Sequence, residues 1–93
     1  MSERRVTIGS HVGLHARPAA LFVQAAAAQT VKVRIANQAG KNVDATSMLG
    51  VLSLGVHGGE DVVLSADGDG ADAALDTLVA LLLVDHDEVK APS

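Results

Sequence analysis

The residues whose types and spacing can do chemistry lie in one stretch, Gly13-Leu14-His15-Ala16-Arg17-Pro18-Ala19-Ala20. Proline is tolerated in the first turn of a helix, where its missing N–H would have had no intrahelical partner. From Pro18 the apolar residues recur at Leu21, Phe22, Ala25 and Ala26, the stripe of a helix packed on one face. His15 then falls at or next to the N-cap. Its imidazole sits beside the free backbone N–H groups of Ala16 and Arg17, at the positive end of the helix dipole. Such a site suits an anion, and Arg17 adds a guanidinium able to hold two phosphate oxygens at once. An imidazole nitrogen in that setting is a nucleophile and a phosphoryl acceptor, so the spacing points to His15 as a phosphorylated residue. The plain alternative is a capping histidine beside a surface arginine. The glycine turn before the pair and the proline-started helix after it favour the anion site.

Gly13 to Ala20 resembles the active-site signature of HPr, the histidine phosphocarrier of the bacterial phosphoenolpyruvate–sugar phosphotransferase system. The remainder of the chain is similar to that family from end to end. The resemblance implies that phosphorylated enzyme I donates a phosphoryl group to His15 at Nδ1, the pros nitrogen. Ala16 and Arg17 would hold the phosphate, and the group would pass on to the IIA domains of sugar permeases. It also implies a phosphoryl carrier and not a stand-alone catalyst, with no metal or organic cofactor of its own. A nitrogen-related branch would use the same chemistry with other partners. Many family members have asparagine before the glycine, where this chain has Val12. That departure touches the tuning of the imidazole, not its role.

The elements that position His15 follow from periodicity. Arg4 to Ile8 alternates as a strand, with Val6 and Ile8 on one face, and Ser10 to Gly13 form the loop delivering His15. The first helix runs to about Gln29. Val31 to Ile35 is the clearest strand, alternating apolar and basic residues, and Gln38 to Asn42 is turn chemistry that returns Lys41 to Ala45 as a hairpin partner. A second helix spans about Ser47 to Leu54, ended by Gly55; His57 to Glu60 form a loop, and Asp61 to Ala66 a strand. Asp67-Gly68-Asp69-Gly70 turns into a last helix that Asp69 is placed to cap, with Leu75, Leu78, Val79 and Leu82 as its buried stripe. The order β-α-β-β-α-β-α predicts an α+β fold, an open-faced β-sandwich whose four-stranded antiparallel sheet is covered on one face by three helices. The first two strands lie parallel with another between them, a split βαβ arrangement. HPr proteins have this architecture. Residues 1–88 are expected to form a single domain and 89–93 a short polar tail.

The second helix is apolar on nearly every side. If Val51 and Leu54 face the sheet, Met48, Leu49 and Leu52 cannot all be buried with them. Packing beneath a loop is one explanation. The other is a docking patch beside His15, the role this helix has in the HPr resemblance, where it meets enzyme I and the IIA domains. On that basis Ala20, Met48, Leu49 and Leu52 are the expected docking residues, and methionine suits a surface that accepts several partners. Ser47 is explained structurally as an N-cap. The segment Ser47 to Leu54 also resembles the regulatory-serine segment of HPr from Gram-positive bacteria, with Ser47 on the phosphorylated position. A phosphate there would add about −1.5 to −2 charges to the docking face, and would bring a serine kinase and regulatory proteins among the partners.

Composition bounds the rest. Ninety-three residues suffice for one small core, and the absence of cysteine excludes disulfides and thiolate metal sites. The longest apolar run, Leu78 to Val84, is far too short for a membrane span, and Met1 to Arg5 does not lead into a secretory signal. A cytoplasmic monomer without membrane insertion is expected. Residues 1–59 hold six Lys/Arg against two Asp/Glu, and residues 60–93 hold one against nine, for a net charge of −4. A positive face around His15, steering acidic partners, is the expectation from that asymmetry. Nucleic acid is excluded by the acidic total and by Phe22 being the single aromatic. His11, in the loop before the site, is read as solvated, and His57 and His86 sit far apart in sequence. His86 lies among Asp85, Asp87 and Glu88 and looks like part of a solvated tail, not a metal site. Two rival functions fit less well. A regulatory binding module controlled through Ser47 would not need His15, and a small hydrolase would need an acid and a pocket that no motif supplies.

Overall fold

Alternation at period 2 makes each strand apolar on one side only, and the chain buries those sides together. The computed structural model describes residues 2–9 and 13–84. Its elements are β1 (Ser2–Thr7), α1 (Ala16–Ala27), β2 (Val33–Ala36), β3 (Asn42–Asp44), α2 (Met48–Ser53), β4 (Asp61–Ala66) and α3 (Ala71–Leu83). The strands form one antiparallel sheet in the order β1-β4-β2-β3. β1 and β2 both pair antiparallel with β4 between them, so they run parallel to each other, the split βαβ arrangement expected. The register sets Val6 opposite Val62 and Ile35 opposite Leu64, so the buried faces of three strands coincide. Phe22 of α1, Val51 of α2, and Leu75 and Leu78 of α3 close over that face. The other face, with Glu3, Arg5, Arg34 and Ser65, is open.

Several boundaries move for identifiable reasons. β2 begins at Val33 and not Val31, because its partner strand ends at Ala66, which pairs with Val33 and leaves Lys32 nothing to pair with. β1 ends at Thr7, though Ile8 still donates to the Glu60 carbonyl at 2.9 Å and accepts from Gly59 at 3.0 Å. β3 is confined to Asn42–Asp44, and the hairpin is closed by Asn37, whose N–H donates to the Lys41 carbonyl at 3.0 Å and whose Oδ1 accepts from Lys41 N–H at 2.9 Å.

Asp69 does not cap the last helix. The N-cap is Gly70, at φ +87°, and no side chain caps it. The left-handed turn that glycine permits puts Asp69 one residue outside the cap, and Asp72 supplies the negative charge in the first turn instead. Of the expected stripe, Leu75, Leu78 and Leu82 are buried while Val79 packs only at the margin. The polar tail from Asp85, with His86, lies outside the described residues.

Candidate functional site

α1 begins as its sequence dictates. His15 is the N-cap in extended conformation (φ −90°, ψ −171°), and its carbonyl accepts the first intrahelical bond, from Ala19 N–H at 2.8 Å. Pro18 has no N–H to satisfy, so Ala16 and Arg17 carry the orphan donors of the helix start. No described residue accepts from either amide, and the His15 side chain makes no cap bond. His15, Ala16 and Arg17 are exposed, and among the described residues the Arg17 guanidinium has no hydrogen-bond or ion-pair partner. An exposed imidazole, two uncommitted amides and a free guanidinium thus meet at the positive end of a 12-residue helix.

Gly13 fixes how the chain arrives there. Its φ is +77°, and a Cβ on it would lie 2.2 Å from the Val56 carbonyl oxygen and 2.7 Å from the His57 Cα. The next residue, Leu14, donates its N–H to that same carbonyl at 3.0 Å and is buried. The segment 13–14 is therefore seated on the loop after α2. That loop is itself tied, since His57 N–H donates to Glu60 Oε1 at 2.7 Å and Glu60 N–H returns to the His57 carbonyl at 3.1 Å. His57 is exposed. His11 and Val12 lie outside the described residues.

α2 packs on α1. Ser47 is its N-cap, with Oγ accepting from Gly50 N–H at 3.0 Å, and the residue is exposed. Val51 and Leu54 face the core. Leu49 is 82% exposed and Leu52 38%, whereas Met48 is half-buried against the core, so the three residues expected to project do so unequally. Ala20 is half-buried.

Sequence reasoning placed Leu21 in the buried stripe of α1, yet it is 37% exposed. The buried residues are Pro18, Ala19, Phe22 and Ala26, an arc of i, i+1, i+4 and i+8 that leaves Leu21 at its outer edge. The small residues Ala19 and Ala26 let the helix approach the core around Phe22, and a count of apolar positions alone does not reveal which of two adjacent ones is inside.

Two of the arginines behind the positive face expected around His15 are paired with carboxylates. Arg4 reaches Asp72 (3.2 Å) and Asp76 (3.3 Å) of α3, and Arg5 reaches Asp61 (3.2 Å) of β4. The acidic second half of the chain lies beside the basic first half because β4 and α3 pack on β1. Lys32 and Arg34 line a groove of about 430 Å³ on the open sheet face, with Glu3 and Asp67. Lys41 Nζ donates to the Ser53 carbonyl at the end of α2. Neither that groove nor a second of about 280 Å³ beside Asn37, Leu54 and Glu60 includes His15, which stands on open surface.

Among the described residues, two carboxylates are held low. Asp44 is held below the usual carboxylate range by the Thr46 hydroxyl (2.7 Å) and then by the Thr46 N–H (2.8 Å). Asp72 is lowered by the Ser2 hydroxyl first and Arg4 second.

Residues 2–83 match the family described as "PTS HPr component phosphorylation site". The chain is 55% identical over 82 residues to the phosphocarrier protein HPr of Streptomyces coelicolor, covering 88% of each chain. It is similar in structure to a phosphocarrier protein HPr from Bacillus anthracis, with a TM-score of 0.82 and 37% identity over 87% of this chain and 95% of that one. It is also similar to Crh, the catabolite repression protein of Bacillus subtilis, with a TM-score of 0.69 and 40% identity over 98% of this chain and all of that one; that protein is described as a dimer with a swapping domain. No described helix is long and apolar enough to cross a membrane.

Proposed function

Because this chain belongs to the HPr family of phosphocarrier proteins, we propose that it accepts a phosphoryl group from phosphorylated enzyme I onto His15 and passes it to a IIA domain. The observation that carries this assignment is the start of α1, where the exposed imidazole adjoins the uncommitted amides of Ala16 and Arg17 and the free Arg17 guanidinium. In the transfer, neutral His15 attacks phosphorus through Nδ1 while Nε2 keeps its proton. A new N–P bond forms as the bond between phosphorus and the donor atom breaks, and the electron pair leaves with the donor. The two amides and Arg17 then face the phosphoryl oxygens. Exposure keeps the phosphoryl group reachable by a second protein, and an open site with one arginine holds it without trapping it. A relay needs no substrate pocket, in keeping with the position of His15 outside both grooves.

Ala20, Met48, Leu49 and Leu52 form the docking surface in this reading, and the protein acts as a cytoplasmic monomer. Transfer is tested by isolating the phosphorylated protein, removing the donor, and adding a IIA domain from the same genome. The phosphoryl group should move to the IIA domain; retention on this chain would refute the carrier role.

A second reading is favoured by Ser47, whose exposed hydroxyl sits at the first turn of the docking helix, and by the likeness to Crh. Phosphorylation of Ser47 would place about −1.5 to −2 charges beside Leu49 and Leu52 and switch the set of partners. Incubation with an HPr-directed serine kinase, with Ser47→Ala as control, tests it. No incorporation into the wild type would remove it.

A further inference from the structure

The hairpin between β2 and β3 makes a contact that its own closure does not require. Asn37 N–H donates to the Lys41 carbonyl at 3.0 Å and Asn37 Oδ1 accepts from Lys41 N–H at 2.9 Å, which closes the turn. The other side-chain atom, Nδ2, donates to the Leu54 carbonyl at 2.9 Å, 17 residues away in the chain. Leu54 is the C-cap of α2, whose final carbonyls lie beyond the reach of helical N–H groups. The Val51 and Leu52 carbonyls accept from the N–H groups of Leu54 and Gly55, but those of Ser53 and Leu54 accept from Lys41 and Asn37 of the hairpin. Just beyond Leu54, the Val56 carbonyl receives Leu14 N–H at 3.0 Å, and Gly13 lies so close that an added Cβ would stand 2.2 Å from that oxygen. His15 follows directly.

We propose that Asn37 is a positioning residue for phosphoryl transfer: its side-chain amide, by holding the Leu54 carbonyl, fixes the Val56 carbonyl on which Gly13 and Leu14 seat His15. The proposal rests on the carrier reading, since the place of His15 matters to the reaction only if it is the acceptor. The segment from Leu54 to Glu60 is tied at its far end to β1, where Ile8 N–H donates to the Glu60 carbonyl and Gly59 N–H to the Ile8 carbonyl. Asn37 ties its near end. Leu54 and Val56 are also buried, but burial is non-directional and does not aim a carbonyl, whereas a hydrogen bond does. The His15 side chain makes no cap bond, so its backbone seat decides where the imidazole stands. In-line transfer is sensitive to that placement, since an error of about 1 Å can cost about a hundredfold in rate.

The test is Asn37→Asp in the full chain. It keeps the acceptor that closes the hairpin and replaces the donor with a carboxylate oxygen facing the Leu54 carbonyl. Thermal melts establish that the variant is folded. Rapid-quench transfer from phosphorylated enzyme I, over a range of concentrations of this chain, separates the rate at saturation from the half-saturating concentration. Hydrogen exchange follows individual amides. The saturating rate should fall at least about fivefold, towards the cost of a misplaced acceptor, and the Leu14 amide should lose protection while the amides of β4 keep theirs. A smaller fall in the saturating rate, a loss confined to the half-saturating concentration, or a Leu14 amide as protected as in the wild type would overturn the proposal. Should Asn37→Asp not fold, Asn37→Ser takes its place with the same outcomes, because its hydroxyl can still close the turn but cannot reach Leu54. Absence of transfer to the wild type would overturn the carrier reading and this proposal with it, whereas transfer to the wild type with an unaffected variant would overturn this proposal alone.

Discussion

Leu49→Ala and Leu54→Ala separate the two uses of leucine on α2. Complete burial of a leucine side chain is worth about 1.5–3 kcal/mol. Leu49 is 82% exposed, so about a fifth of its surface is withdrawn from water and truncation forfeits about 0.3–0.6 kcal/mol. Alanine's better helix propensity returns part of that. Leu54 is 5% exposed within the core cluster, where truncation removes the transfer energy and leaves a cavity, at a cost of about 2–5 kcal/mol. Urea denaturation of the wild type and both variants should therefore resolve a difference of at least about 1.5 kcal/mol, with the slope unchanged. Titration of enzyme I should show the reverse for binding, with Leu49→Ala weaker by more than about 1 kcal/mol if it is an anchor. A loss of more than about 2 kcal/mol of stability from Leu49→Ala, with no separate effect on binding, would refute the reasoning and make α2 ordinary core.

Two further outcomes follow from the loops that hold α1 and α2. Gly13→Ala should lose at least about 2 kcal/mol in thermal or chemical melts, since alanine at φ +77° is strained and its Cβ would enter the Val56 carbonyl; wild-type stability would refute the seating of segment 13–14 on that loop. Asp44, whose carboxyl is lowered by Thr46, contributes stability that is present above its unfolded value of about 3.9 and lost as pH falls through the lower folded value. Melts of Asp44→Asn between about pH 5 and 2 should show a shallower acid loss than the wild type, and parallel curves would remove Thr46 as the cause.

Much of this organisation was legible locally. Gly13 and Pro18 bracket His15 so closely that its N-cap position follows from backbone rules, and Val33 and Ile35 alternate with Lys32 and Arg34 in a pattern that only a half-buried strand satisfies. The apolar excess of α2 was equally plain, but its division was not. Met48 packs partly against the core while Leu49 does not, a division that spacing does not report. What the sequence concealed was long-range. The basic first half looked like a positive surface until the fold set β1 between its acidic neighbours, where Arg4 meets Asp72 and Asp76 across 68 and 72 residues. Asp69 failed as a cap because the glycine at position 70 took the position, a choice of turn geometry and not of side-chain chemistry.

The central claim is that His15 is the phosphoryl acceptor, and intact mass measures it most directly. The wild type and His15→Ala are incubated with phosphoenolpyruvate and enzyme I, after melts show that both are folded. The wild type should gain a single phosphoryl group that is lost in acid, while His15→Ala gains none. Equal labelling of folded His15→Ala would contradict the assignment.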